Sequence, residues 1–371
     1  MSRITEQNIL DALKAITYPG ENENIVSSGM VQNDIKIEGN KVSFSIRFRK
    51  AKDPFYKSVI KTAESVLLSQ VDESMEIKGN ITPIFPELPP VPAEDKILPY
   101  VKNVVAIHSG KGGVGKSTVT SNLAVSLAKA GYKVGLLDAD IYGPSIPRML
   151  HLEGSRPVLV EVDGNELIDP PVKYGVKVLS IGFFVNKEDA IVWRGTMASN
   201  AMGQLIREGN WGELDYLLID LPPGTSDIHL SLIQMLGLTG VVVVTTPQNV
   251  ATDDARKGIS MFRDEKINVP ILGVVENMSW FTPAELPQNR YYIFGKDGGK
   301  IMAEELGVKL LGQIPLVQSV REAADSGDPI ATRDDAIMGI AFHNLADNLV
   351  AAVEARNSEF PPTSKVEITH R

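Results

Sequence analysis

The chain contains no cysteine, which removes disulfides and any metal or cluster site built from its own thiolates. It also lacks an apolar run approaching the ~20 residues needed to span a bilayer. The opening residues, Met1-Ser2-Arg3-Ile4-Thr5-Glu6-Gln7-Asn8, are polar and have no signal-peptide apolar core. There is no basic excess: the formal net charge is −9 and the pI is near 5.2. That balance argues against broad, non-specific binding to nucleic acid or an anionic membrane. Together these absences predict a cytoplasmic protein without membrane or nucleic-acid partners. What is present is 43% hydrophobic and 22% charged over 371 residues, enough for a substantial core and for two or three domains.

Residues 1–80 read as a small α+β module. Ile9, Leu10, Leu13 and Ile16 have helical spacing, within a helix from Ile4 to Ile16 that stops at Tyr18-Pro19-Gly20. Ile35 to Ile37 and Val42 to Phe48 alternate with period two and read as strands joined around Gly39-Asn40. Phe55 to Leu68 reads as a second helix. Residues 81–99 hold six prolines, whose fixed φ angles and missing donors predict an extended linker. Residues 100–355 then alternate strand and helix. Apolar runs at Val104–His108, Lys133–Leu137, Tyr216–Ile219, Val241–Thr245, Ile271–Val275 and Leu310–Ile314 imply a mostly parallel sheet flanked by helices, an α/β fold. The polar tail, 356–371, reads as frayed.

Gly110-Lys111-Gly112-Gly113-Val114-Gly115-Lys116-Ser117-Thr118 fits GxxxxGK followed by Ser or Thr, between a predicted strand and a predicted helix. Backbone amides of such a loop nest around phosphates, helped by the positive end of the helix dipole. Lys116 reaches the β- and γ-phosphates of ATP, and the Ser117 hydroxyl is a Mg²⁺ ligand. Lys111 sits too early in the loop for its own phosphates. Crossing a dimer interface would let it act on the partner's nucleotide, as an arginine finger does. Asp138 and Asp220 each end an apolar strand, and Asp140 follows close behind. A single Asp after a strand is more often a cap or turn residue; three placed after this loop point to a Mg²⁺ and water site. Asp220 reads as the Walker B carboxylate holding Mg²⁺ through water, Asp138 as orienting Mg²⁺-bound water, and Asp140 as positioning the attacking water. Pro222-Pro223-Gly224 reads as a switch whose Gly224 N–H senses the γ-phosphate. His108, in a core strand, and His229, after the switch, read as structural.

KGGVGKST, GLLDADIYGPSIP, VWRG, LLIDLPPGTSD, VVVTTPQ, ENMS and IFG, in this order, resemble the Mrp/ApbC group of P-loop ATPases with a deviant Walker A loop. These sit with the nitrogenase iron protein and the septum-site and plasmid-partition ATPases. The resemblance covers about residues 100–350. It implies a homodimer sandwiching two ATP molecules, and delivery of iron–sulphur clusters to apoprotein clients. By the same resemblance Asn277 and Pro315 border the adenine. The first module is similar to the small domain of iron–sulphur assembly factors. It departs from that domain at Tyr18-Pro19-Gly20, where an acidic Asp-Pro-Glu is usual, and near Lys52-Asp53-Pro54, where a cysteine is common. Family members commonly carry Cys-x-x-Cys after the ENMS segment and hold one 4Fe–4S cluster between subunits. Here Pro283 and Leu286 stand where the thiolates would be, and neither can ligate iron. Three readings follow: a cluster assembly ATPase with ligands lost or supplied by a partner, an ATP-switched positioning protein, and a client-recruiting scaffold.

Overall fold

A helix, two strands, a helix and a further strand build the first of two compact units, residues 1–90. The computed structural model describes residues 4–19, 23–48, 53, 55–85, 97–184, 195–225, 227–283, 285, 286, 288–333 and 337–360. Helix α1 (Glu6–Leu13) starts at Thr5, whose hydroxyl oxygen accepts from the Asn8 amide at 3.3 Å, the usual N-cap arrangement. Strands β1 (Lys36–Glu38) and β2 (Lys41–Arg47) pair antiparallel across Gly39-Asn40, and α2 (Tyr56–Gln70) covers them. Val42, Phe44, Ile46 and Phe48 alternate inward against Ile9, Leu13, Val59, Ala63 and Leu67.

Ile81–Ile84 corrects the linker expectation. It is a strand, β3, lying parallel to β2 at the edge of this small sheet. An edge strand tolerates Pro83 because one row of its amides has no ladder partner. Buried Ile81 and the Phe85 ring, stacked 5.6 Å from Phe48, tie the segment to the core. The remaining proline-rich stretch to residue 96, the Val192-Trp193-Arg194 part of the VWRG motif and the tail beyond residue 360 lie outside the described residues.

The second unit begins with β4 (Val101–His108), α3 (Lys116–Lys129), β5 (Val134–Asp138) and the short α4 (Ile146–Met149). A hairpin of β6 (Val158–Val162) and β7 (Asn165–Asp169) follows, then β8 (Val172–Lys173) and β9 (Val176–Ser180). Next come α5 (Gly195–Glu208), β10 (Leu214–Asp220), α6 (Asp227–Met235), β11 (Gly240–Thr245) and α7 (Asn249–Arg263). The chain closes with β12 (Ile271–Phe281), α8 (Gly298–Glu305), β13 (Leu310–Leu316), α9 (Gln318–Ser326) and α10 (Ile337–Glu359). The eight-stranded sheet runs β13-β12-β11-β4-β10-β5-β9-β8, parallel except at β8.

Alternation along the strands separates two cores. Val105, Ile107, Leu136 and Leu218 face α3 and α10, while Val104, Ala106, Leu217 and Ile219 face the α5–α7 layer. Both faces are apolar because both are covered. The predicted strand at Ile271–Val275 runs on to Phe281. Its polar continuation is satisfied inside: Glu276 accepts from the Gly299 amide at 2.6 Å and from Gln313 Nε2 at 2.8 Å. Strand β9 escapes the apolar pattern because Lys177 interrupts it. That lysine is half-buried and donates to the Asn210 and Trp211 carbonyls, both at 2.9 Å.

Candidate functional site

The strand order reverses at β4: the chain leaves it toward β5 on one side and reaches β11 on the other. Ligands of open parallel sheets bind beyond the carboxyl ends of strands at such a point. The register sharpens this, because Asp220 lies opposite Ile107 on β4 and opposite Asp138 on β5. Three strand ends thus deliver the phosphate loop and two carboxylates to one place.

Residues Ser109 and Gly112 to Thr118 line a cavity of 270 Å³ together with Asp140, Ser145, Met149 and Pro223. Gly115 precedes α3 at φ 82°, left-handed backbone that a side chain would strain. A Cβ there would also collide with Nδ2 of Asn277. That amide donates to the Val114 carbonyl at 2.8 Å, so Asn277 braces the loop.

At the floor of the cavity, Asp220 is wholly buried and shared among three donors. Lys116 Nζ lies 2.7 Å and Ser117 Oγ 2.6 Å from its Oδ2, and Thr120 Oγ1 donates to Oδ1 at 2.6 Å. Lys116, only 5% exposed, also lies 3.7 Å from Asp140. Asp138 accepts from Ser180 Oγ at 2.9 Å and from the amides of Asp140 and Ile146 at 3.2 and 3.3 Å. Burial, then the Asp220 charge, pushes the Asp138 carboxyl well above the usual carboxylate range. Burial also raises Asp140, against the opposing pull of Lys116. Three carboxylates share the single Lys116 ammonium here, which leaves an excess of negative charge beside the cavity.

Thr120 and Ser180 carry no motif, yet both hold acidic residues of the site. Thr120 had a signal: four residues after Lys116 it shares that lysine's helix face. Ser180 had none, since its strand was hidden by Lys177.

Lys111 lies outside the cavity lining. Its carbonyl accepts from Ser109 Oγ at 3.1 Å, and its half-buried side chain pairs with no carboxylate among the described residues. Asn277, on β12 two strands from β4, stands opposite Ile314 on β13, the strand that carries Pro315. In the turn after Asp220, Leu221 N–H donates to the Ile107 carbonyl at 3.0 Å, and Gly224 N–H donates to the Ser109 carbonyl at 2.9 Å.

His108 points to the α7 side of the sheet, fully buried, and neither ring nitrogen has a hydrogen-bond partner. Burial, with help from His229 and Lys116, pushes its pKa down to about 3, so the ring is neutral. It packs edge-on to His229 and Phe262, at 5.4 and 5.1 Å between centroids, and fills the space where Gly258 would carry a Cβ. Gly258→Ala would stabilise a free helix by about 1 kcal/mol. Here overpacking against His108 reverses the sign, with an expected net loss of about 1–2 kcal/mol in denaturant unfolding. His108→Ala in the same chain recovers part of it. A more stable Gly258→Ala protein would contradict this packing.

Among the described residues after Ser279, backbone and ring contacts tie the segment together. Phe281 and Tyr291 exchange two backbone hydrogen bonds of 2.8 Å, and the Arg290 guanidinium lies 4.3 Å over the Trp280 ring. Leu286 N–H donates to the Pro283 carbonyl at 3.1 Å. With no cysteine in the chain, and Pro283 and Leu286 standing where thiolates would be, this site does not fit an iron–sulphur cluster.

A glycine loop between β4 and α3, a buried lysine and a strand-end carboxylate on adjacent parallel strands define a P-loop NTPase. Residues 100–350 match the family model of the NUBPL iron-transfer P-loop NTPases, and residues 6–78 match that of an iron–sulphur cluster assembly protein domain. The iron–sulphur cluster carrier protein of Synechocystis sp. is 40% identical over 328 residues, spanning 88% of this chain and 91% of the relative. That of Helicobacter pylori is 36% identical, spanning 99% and 100%. Among solved structures, the nucleotide-binding protein of Archaeoglobus fulgidus in complex with ADP superposes with a TM-score of 0.56 at 36% identity, over 66% of this chain and 95% of that one. The chain belongs to the Mrp/ApbC family of iron–sulphur cluster carrier P-loop NTPases. Among the described residues no helix is long and apolar enough to cross a membrane.

Proposed function

We propose that the protein is a dimeric ATPase serving iron–sulphur maturation, in which the nucleotide switch operates without a cluster on the chain's own thiolates. The observation that carries this reading is the buried Lys116–Asp220 pair, braced by Ser117 and Thr120 at the floor of the phosphate cavity. Ser117, Asp220 and Asp138 offer only hard oxygen donors, a set that suits Mg²⁺. When bound, that ion neutralises charge on the phosphates.

The chain's own groups do the rest. Amides from Gly112 to Gly115 cradle the β-phosphate, with Gly110 and Thr118 framing the loop. Lys116 exchanges its contact with Asp220 for the phosphoryl oxygens and stabilises the charge that develops there. Asp140, held near Lys116, orients the attacking water, and its raised pKa suits it to receive a proton. Gly224 N–H meets the γ-phosphate, while Asn277 and Pro315 border the base. Lys111, with no carboxylate partner in its own subunit among the described residues, completes the partner's site.

Mixing tests the dimer. Lys111→Ala and Lys116→Ala proteins are each expected to be nearly inactive alone, and together to recover turnover. The Lys116→Ala subunit supplies Lys111 to its Lys111→Ala neighbour, whose own Lys116 is in place. A mixture as inert as its components would remove the trans role.

The relatives are named as cluster carriers, whereas this chain has no thiolate to carry one. Anaerobic reconstitution with iron and sulphide is therefore expected to leave no stoichiometric cluster, by iron analysis and visible absorbance, while ATPase activity persists. A stable cluster would show that other ligands serve. The small first domain, matched to an assembly-protein family, is the candidate contact for apoprotein clients.

A further inference from the structure

The switch between Asp220 and α6 is held at several points, and one of them comes from a residue no motif includes. His229, in the first turns of α6, is completely buried, and its Nε2 lies 2.7 Å from the carbonyl oxygen of Pro222. A carbonyl only accepts, so in this contact Nε2 carries the proton. The ring is kept in place by the neutral His108 imidazole against it, edge to face.

The consequence lies in the backbone. Pro222 and Pro223 have no N–H, so the turn after Leu221 has no amide donor until Gly224. Leu221 N–H is committed to Ile107 on β4, and the Pro222 carbonyl to His229. These two anchors fix the entry to the turn on the sheet side. Beyond them stand Pro223, which lines the phosphate cavity, and Gly224 at φ 83°, whose N–H is spent on the Ser109 carbonyl. Gly224 must surrender that bond to turn toward a phosphate. With Pro222 pinned, the rearrangement is confined to the Pro223–Gly224 link, and the amide swings through a defined arc.

We propose that His229 is a positioning residue, whose Nε2–H bond to the Pro222 carbonyl holds the switch turn so that the Gly224 amide exchanges between Ser109 and the γ-phosphate. This rests on the ATPase reading above. Without the bond the entry to the turn drifts, and the amide reaches the phosphate in the wrong orientation, an effect on turnover more than on ground-state binding.

Glutamine places an amide nitrogen near the position of imidazole Nε2, whereas leucine fills space without a donor. His229→Leu is expected to lower kcat for ATP about tenfold with KM within about twofold, and His229→Gln to keep kcat within about threefold of the wild type. Hydrogen exchange of the peptide 221–229 gives a readout that needs no hydrolysis. Without nucleotide, the Gly224 amide in His229→Leu should exchange at least about tenfold faster than in the wild type or His229→Gln. Full-length proteins are used, and thermal melts report whether each variant is folded. A His229→Leu protein with wild-type kcat and Gly224 protection overturns the proposal, as does a His229→Gln protein as impaired as His229→Leu in both. A wild type that never hydrolyses ATP would sink the ATPase reading, and the exchange comparison would still decide the role of His229. If leucine unfolds the protein, the wild-type and glutamine exchange rates decide it: faster Gly224 exchange in glutamine overturns the proposal, and equal protection supports it.

Discussion

Lys116→Ala is expected to reduce ATP turnover by about a hundredfold or more, the scale on which removing one preorganised charge from a reacting phosphoryl or acyl group acts. The ammonium lies 2.7 Å from Asp220 and 3.7 Å from Asp140, nearly excluded from water. It lines the cavity before any nucleotide arrives, so binding has only to exchange its Asp220 contact for the phosphoryl oxygens. A second effect accompanies the first. Removing the lysine leaves Asp138 and Asp220 on neighbouring strands with no positive charge between them, and breaking a buried pair in this way costs about 3–5 kcal/mol. The apoprotein should melt earlier, and Mg-nucleotide should recover less of the loss than a purely structural defect would allow. Turnover that survives in a folded Lys116→Ala protein would remove the loop from the catalytic account.

Asp220→Asn should be nearly as severe, for the complementary reason. The size of the side chain is kept, but Thr120 and Ser117 donate to different carboxylate oxygens, so the single amide oxygen serves only one of them. The amide nitrogen now faces either Lys116 or a hydroxyl donor, and the formal charge that balanced the lysine is gone. The expected result is a hundredfold or greater fall in Mg-dependent turnover. Thermal melts separate this from misfolding. The wild type should gain more stability from ADP with Mg²⁺ than from ADP alone, because a ligand that binds only the folded state stabilises it by mass action. In Asp220→Asn the two increments should coincide. A preserved Mg²⁺ increment would place the metal on other oxygens.

Much of this molecule could be read from local patterns. GKGGVGKST between an apolar run and a helical run needs only spacing to be recognised, because a phosphate nest is made by consecutive backbone amides. The parallel sheet was legible for the same reason, since strands covered on both faces need apolar residues at every position. Legibility failed where a polar residue sits in a buried element. Lys177 concealed β9, and Glu276 made β12 appear to end at Val275, because each is satisfied by partners remote in sequence. Pro83 concealed β3, whose edge position makes a missing N–H harmless.

The sequence by itself determined the family, the phosphate loop, the strand-end carboxylates and the absence of any thiolate for a cluster. All four depend on residue type and on short-range order along the chain. Only the tertiary structure decided that Thr120 and Ser180 hold the acidic groups, that Asn277 braces Val114, and that His229 meets the Pro222 carbonyl. Those contacts join elements through a register and a rotamer choice set by packing, and no spacing rule encodes which buried donor will find which distant carbonyl or carboxylate.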